Sequence, residues 1–167
     1  MNTSIWNVLA DLEQNNRAGA LCVIVDSRGS TPRHEGSKMI VFPGGSFVGT
    51  VGGGEIENRT IREALLALDD GKARKNSYSM IDPNRGDPGV CGGTMEIYIE
   101  PILPKATLIV IGGGHVGKAV AHLAKWLGFW VVVCDDRPEF ASEETIPEAD
   151  SFFQLPMGEL PDHVEIN

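Results

Sequence analysis

Gly112, Gly114 and Gly117 stand as G-x-G-x-x-G, with Asp135 and Asp136 further along the chain. Each glycine has its own task in holding a phosphate. The first permits a tight turn, the second lets a phosphate approach the backbone, and the third lets the next helix lie close to the strand. Unpaired N–H groups at that helix start attract the anion. An acid about 20 residues on can hold a ribose hydroxyl, and Asp135 is the candidate. A carboxylate that merely closes a strand explains Asp135 as well. Arg137 can pair with Asp136 or face a phosphate. His115 lies inside the turn, where its backbone N–H can face a phosphate while its side chain caps or packs.

A second glycine turn, Gly52-Gly53-Gly54, runs directly into Glu55. It opens a predicted helix and can hold an anion for the same dipole reason. Spacing alone leaves two readings: an anion cradle, or a plain bend in which Glu55 and Glu57 complement the helix dipole. Cys91 precedes Gly92 and Gly93 and reads either as a small residue or as a reactive thiol. Cys22 and Cys134 lie in apolar runs and read as core. His34, His122 and His163 have no metal-ligand spacing with one another or with any Cys.

The elements that must position these residues can be read from periodicity. Residues 4–16 carry Ile5, Val8, Leu9 and Leu12 at helical spacing. Residues 20–26 (ALCVIVD) form a continuous apolar run, expected as a strand buried on both sides. Residues 39–42 and 47–51 suit a hairpin around Pro43-Gly44-Gly45. The helix after Gly54 ends at Gly71. Residues 73–81 and 94–100 alternate as strands, separated by the loop DPNRGDPG. The run at 107–111, the helix at 116–127 and the runs at 130–134 and 151–155 give strand–turn–helix–strand and a third strand. The fold class is α/β: an N-terminal α/β domain at 1–103, then a partial Rossmann-like unit with parallel strands at 104–167.

The bulk numbers exclude some partners. A net charge of −9 argues against nucleic acid and anionic membranes, which need clustered Lys and Arg. No apolar run reaches the roughly 18 residues that span a bilayer, and the N-terminus lacks a basic-then-apolar leader pattern. Three scattered cysteines form neither a disulfide framework nor a C-x-x-C pattern. The expected location is cytoplasmic.

Four segments together resemble the XdhC/CoxI family of molybdenum-hydroxylase maturation factors. They are Gly29-Ser30-Thr31-Pro32-Arg33 with Gly36; Gly49-Thr50-Val51-Gly52-Gly53-Gly54 with Glu55; Cys91-Gly92-Gly93 leading to Glu100-Pro101; and the G-G-G-H-V-G turn with D-D-R-P-E-F, here 112–117 and 135–140. The resemblance implies an accessory protein rather than an enzyme. It would bind the molybdenum cofactor (molybdopterin), assist its sulfuration by a cysteine desulfurase, and deliver it to an apo-molybdenum hydroxylase of the xanthine dehydrogenase type. It implies cofactor-binding roles for Ser30, Thr31 and Arg33, the last as a phosphate contact, and for Cys91 as a molybdenum contact.

Family members of usual length carry more of the Rossmann domain, including a later G-x-D-I-G-A-type segment. The chain reads as a shortened member or a piece of one. An open sheet edge and an uncovered apolar face would follow, favouring homo-oligomerisation or a complementing partner chain. The alternative is an NAD(P)-binding oxidoreductase or nucleotide-sensing module, and a third reading is a chain that scaffolds a complete partner. A dehydrogenase would need a general acid or base, and the first hundred residues offer little besides His34.

Overall fold

The computed structural model describes residues 4–81 and 92–164. Cys91 and the DPNRGDPG loop lie outside the described residues. The chain divides into two compact units, Met1–Pro104 and Lys105–Asn167.

The first unit is an antiparallel sheet of five strands in the order β3-β2-β1-β5-β4. The strands are β1 (Gly19–Arg28), β2 (Lys38–Val41), β3 (Phe47–Gly49), β4 (Arg74–Ser79) and β5 (Thr94–Ile102). Alternation in β2 explains how both faces are covered. Met39 and Val41 join the cluster that includes Ile97, Ile99 and, from helix α2 (Gly54–Asp70), Ile56, Ala64 and Ala67. Ile40, between them, points the other way and packs on Val8 and Leu12 of helix α1 (Ile5–Gln14). Gly71 ends α2 in the left-handed conformation (φ 70°), where a residue without Cβ is not strained.

The expectation that 20–26 is buried on both sides holds only for the first half of β1. Ala20, Cys22 and Ile24 are buried on the α2 face, and Leu21 packs beneath α1. The pairing with β5 then skips Val25, between Ile24↔Ile97 and Asp26↔Glu96. Val25 is a β-bulge and is 46% exposed. Apolar composition alone does not reveal an unpaired residue within a ladder.

The second unit is a parallel sheet in the order β6-β7-β8: β6 (Thr107–Ile111), β7 (Trp130–Cys134) and β8 (Ser151–Phe153). Helix α3 (His115–Trp126) connects the first two. Val110, Val131 and Val133 pack with Ala121 and Ala124 of α3 and with Ala141 and Ile146. Asp150 fastens the helix to the sheet, accepting from Val131 N at 2.8 Å and from Lys125 Nζ at 2.5 Å. Val116, Val120, Leu123, Trp126 and Leu127 are exposed on or just beyond α3. No described helix is long and apolar enough to cross a membrane.

Ile97 is fully buried at the centre of the first core. Ile97→Ala is expected to cost about 2–5 kcal/mol, seen in urea unfolding as a lower midpoint without a change in slope.

Candidate functional site

In the first unit, three of the glycine-rich segments converge at one end of the sheet. β1 and β5 close on the pair Arg28↔Thr94, which brings Gly29 against Gly93. A Cβ on Gly93 would lie 2.3 Å from the Ser30 carbonyl oxygen and 2.6 Å from that of Arg28. Only glycine permits that approach. The loop after β1 folds back on the strand: Gly36 N donates to Ile24 O at 2.9 Å, and Ser27 N donates to Glu35 Oε1 at 2.9 Å. Its Pro32 then rests on the second turn, where a Cβ on Gly52 would meet Pro32 Cγ at 2.8 Å. On the other side, Gly92 N donates to Met80 O and Met80 N to Gly93 O, extending the β4–β5 pairing.

The turn that opens α2 has three consecutive glycines at positive φ: 140° at Gly52, 82° at Gly53 and 59° at Gly54. A Cβ on Gly53, Gly54 or Gly92 would meet nothing within 4 Å among the described residues. Among the described residues no side chain caps the helix. Its first N–H groups have no side-chain acceptor among those residues, as an anion site requires. The carboxylates here do other work. Glu57 accepts a short hydrogen bond from Thr50 Oγ1, and Thr50 Oγ1 accepts from Gly52 N at 3.2 Å, which braces the turn. Glu55 pairs with Arg59 and Arg62, which hold its carboxyl below the usual range. Ser30 and Arg33 are exposed on the loop after β1, and Thr31 is half-buried, its Oγ1 3.4 Å from His34 Nδ1. Cys22 is a core thiol, its pKa pushed up to about 12 by burial.

In the second unit Gly112 and Gly117 take the turn and packing tasks that the spacing implies. Gly112 takes φ 91° and donates its N–H to Cys134 O at 2.8 Å. A Cβ on Gly117 would lie 1.9 Å from Gly112 O, so α3 packs directly on the turn. Gly114 caps α3 and faces open space. His115 is the exposed first residue of α3. Gly113, which carries no role in the fingerprint, is as constrained: a Cβ there would lie 1.9 Å from Phe140 O. The run of three glycines is the sequence signal for it. A cavity of about 280 Å³ lies beside the turn, lined by residues that include Ile111, Gly112, Asp135, Asp136, Arg137 and Leu155.

Asp135, the candidate ribose acid, is 5% exposed and already engaged. Oδ2 accepts from Gly113 N and Arg137 Nη2, both at 2.9 Å. Oδ1 accepts from Arg137 N at 3.0 Å and Arg137 Nε at 2.9 Å. A carboxylate has about four lone-pair sites, so none is left for a ribose hydroxyl in this arrangement. The Arg137 side chain, and then its N–H, hold the Asp135 carboxyl far below the usual range. The partner of Arg137 is therefore Asp135, with Asp136 Oδ1 at 4.0 Å. This corrects the expectation of an Arg137–Asp136 pair: composition does not tell two adjacent acids apart, and the backbone turns Asp135 inward and leaves Asp136 exposed. Cys134 is buried, as expected. His122 meets Glu148 at 3.1 Å, and the His163 ring lies 6.2 Å from that of Phe153, tilted against it. Among the described residues no cluster of His, Cys, Asp and Glu could hold a metal ion.

Two substitutions separate packing from ligand space. Gly117→Ala is expected to destabilise by about 1–3 kcal/mol, and Gly114→Ala, at φ −67° with nothing near, by under about 0.5 kcal/mol. Thermal unfolding of both checks this. Asp135→Asn is expected to cost about 1–3 kcal/mol at neutral pH. Because the native carboxyl titrates lower than the unfolded one, its stabilisation is complete above about pH 4 and is lost as pH falls further. The gap between wild type and variant should therefore stay constant from about pH 5 to 8 and narrow in acid.

Comparisons with known proteins agree with the sequence motifs. The model of the XdhC and CoxI family matches residues 12–79, and that of the XdhC Rossmann domain matches residues 108–165. An uncharacterized Escherichia coli protein, YqeB, is 41% identical over 145 residues, covering 86% of this chain and 27% of its own length. A probable xanthine dehydrogenase subunit from Bacillus subtilis is 39% identical over 57 residues, 34% of this chain and 17% of that protein. The chain thus spans little more than a quarter of the longer match. A crystal structure described as a xanthine dehydrogenase from Bacillus halodurans superposes with a TM-score of 0.52 at 19% identity, over 98% of this chain and 72% of that one. That likeness concerns the fold alone. With the signature segments in order and both family models matched, the chain belongs to the XdhC and CoxI family.

Proposed function

We propose that the chain is a maturation factor that binds the molybdenum cofactor and assists its sulfuration and insertion into a xanthine dehydrogenase-type molybdenum hydroxylase, without being a dehydrogenase itself. The observation that carries this reading is the convergence of the segments after β1, before α2 and before β5. Gly93 lies against Arg28 and Ser30, and Gly52 against Pro32. Segments far apart in sequence are held together by contacts only glycine allows, beside an uncapped helix start.

The site fits one part of such a cofactor. The open space at Gly53 and Gly54 and the α2 N–H groups suit its phosphate. Arg33, Ser30 and Thr31 lie on the loop that packs on this turn and supply donors. The cofactor, when bound, supplies the dithiolene sulfurs and the metal. The chain's own residues hold its anionic end. Cys91, next to Gly92 in sequence, is the proposed soft ligand toward molybdenum or its sulfur. The proposed partners are an apo-hydroxylase and a cysteine desulfurase, in the cytoplasm, with a further copy or partner chain beside the second unit.

The second reading, a nucleotide-binding module, is favoured by the geometry of Gly112, Gly114 and Gly117 alone. Co-expression with an apo-hydroxylase, followed by pterin fluorescence and metal analysis of both proteins, tests the first reading. Wild type should co-purify with pterin and raise the hydroxylase's molybdenum and cyanolysable sulfur. Cys91→Ala should lower both with unchanged thermal stability. Pterin retention and hydroxylase loading unaffected by Cys91→Ala would remove the thiol from the mechanism. Catalytic turnover of NADH by the purified chain would sink the chaperone reading.

A further inference from the structure

At the end of β7 the group with unused hydrogen-bonding capacity is Arg137, not Asp135. Asp135 is buried and its oxygens are saturated by Gly113 and Arg137. Arg137 lies over it, half-exposed, and lines the cavity beside Gly112. Its guanidinium is fixed twice. Nε and Nη2 bind the Asp135 carboxylate, and Cζ stands 4.2 Å from the centre of the Phe140 ring. A guanidinium has five N–H donors in a rigid fork, so Nη1 and the second hydrogen of Nη2 remain outside that pair. In nucleotide-binding folds an acid here reads a free ribose hydroxyl, whereas an arginine accommodates a ribose phosphate.

We propose that the end of β7 reads a phosphate carried on the ribose, through Arg137, so that the second unit binds 2′-phosphorylated adenosine nucleotides in preference to their unphosphorylated counterparts. Asp135 is then a positioning residue that holds Arg137 and ties the glycine turn to β7. The opposing charges are Asp136, whose side chain is 71% exposed and 4.0 Å from Arg137 Nε, and the exposed Glu139. A charge that exposed is screened by water and salt. A guanidinium meets a phosphate through charge-assisted, paired hydrogen bonds. The charge of Arg137 is already balanced by Asp135, so what it offers a phosphate is its remaining N–H donors, held in place by that pair. This inference does not rest on the cofactor-chaperone reading, and its test involves neither pterin nor hydroxylase.

Isothermal titration of the full chain with 2′,5′-ADP, ADP and inorganic phosphate decides it. The 2′,5′-ADP should bind at least about tenfold more tightly than ADP, and inorganic phosphate should compete poorly. Arg137→Met should abolish the difference. Asp136→Asn, on an exposed side chain, should strengthen 2′,5′-ADP binding and keep the fold should Arg137→Met not. Equal affinities, tighter ADP, no binding of either nucleotide, or phosphate competing as well as 2′,5′-ADP would each overturn the proposal. Tighter ADP lost in Asp136→Asn would instead identify Asp136 as an acid reading a ribose hydroxyl.

Discussion

Antiparallel pairing of β1 with β5 is the constraint on which the first unit depends. The ladder runs from Gly19↔Ile102 to Arg28↔Thr94 and places the two strands at the centre of the sheet. Its last pair fixes where the chain leaves both strands, and so where Gly29 meets Gly93. Side chains alternate between faces with a period of two. The same register therefore decides which residues join the α2 core, which lie under α1, and how close the loop carbonyls come to the β5 entry. Pro32 on Gly52 passes that geometry on to the start of α2.

The second unit solves a comparable problem with a buried charge. There the glycine turn is held to β7 by one carboxylate that accepts from both Gly113 and Arg137. A buried carboxylate is tolerated because its bonds replace those it gave to water. Backbone proximity and a saturated ion pair both fix a loop at the end of a sheet. The first leaves the side chains on the loop available to a ligand. The second consumes one acid and orients one base.

Much of this was legible in the sequence. Glycines mark the ends of α2 and the start of α3, and β-branched runs mark β6 and β7, because these signals are local. The pairing of Gly29 with Gly93 is not local, and no pattern within either segment announces the other. The direction of Asp135 was equally hidden. Two adjacent acids at a strand end are interchangeable by composition, and only the strand's alternation separates the buried one from the exposed one. Gly113 was marked by the run of three glycines, but the reason for it was not legible. The fingerprint names three glycines, and the fourth is required by Phe140, more than twenty residues away.

The bulge at Val25 changes how the first loop is aimed. Upstream of it, even-numbered residues of β1 face α2. Downstream, the parity is inverted: Ser27 pairs with Met95 on the core side, and Arg28 with Thr94 on the outer side. The extra residue acts as a phase shifter inserted into the strand. A graft or deletion that restored a regular ladder would keep every loop residue and yet turn the whole Gly29–Gly36 segment over, presenting its backbone where its side chains had been.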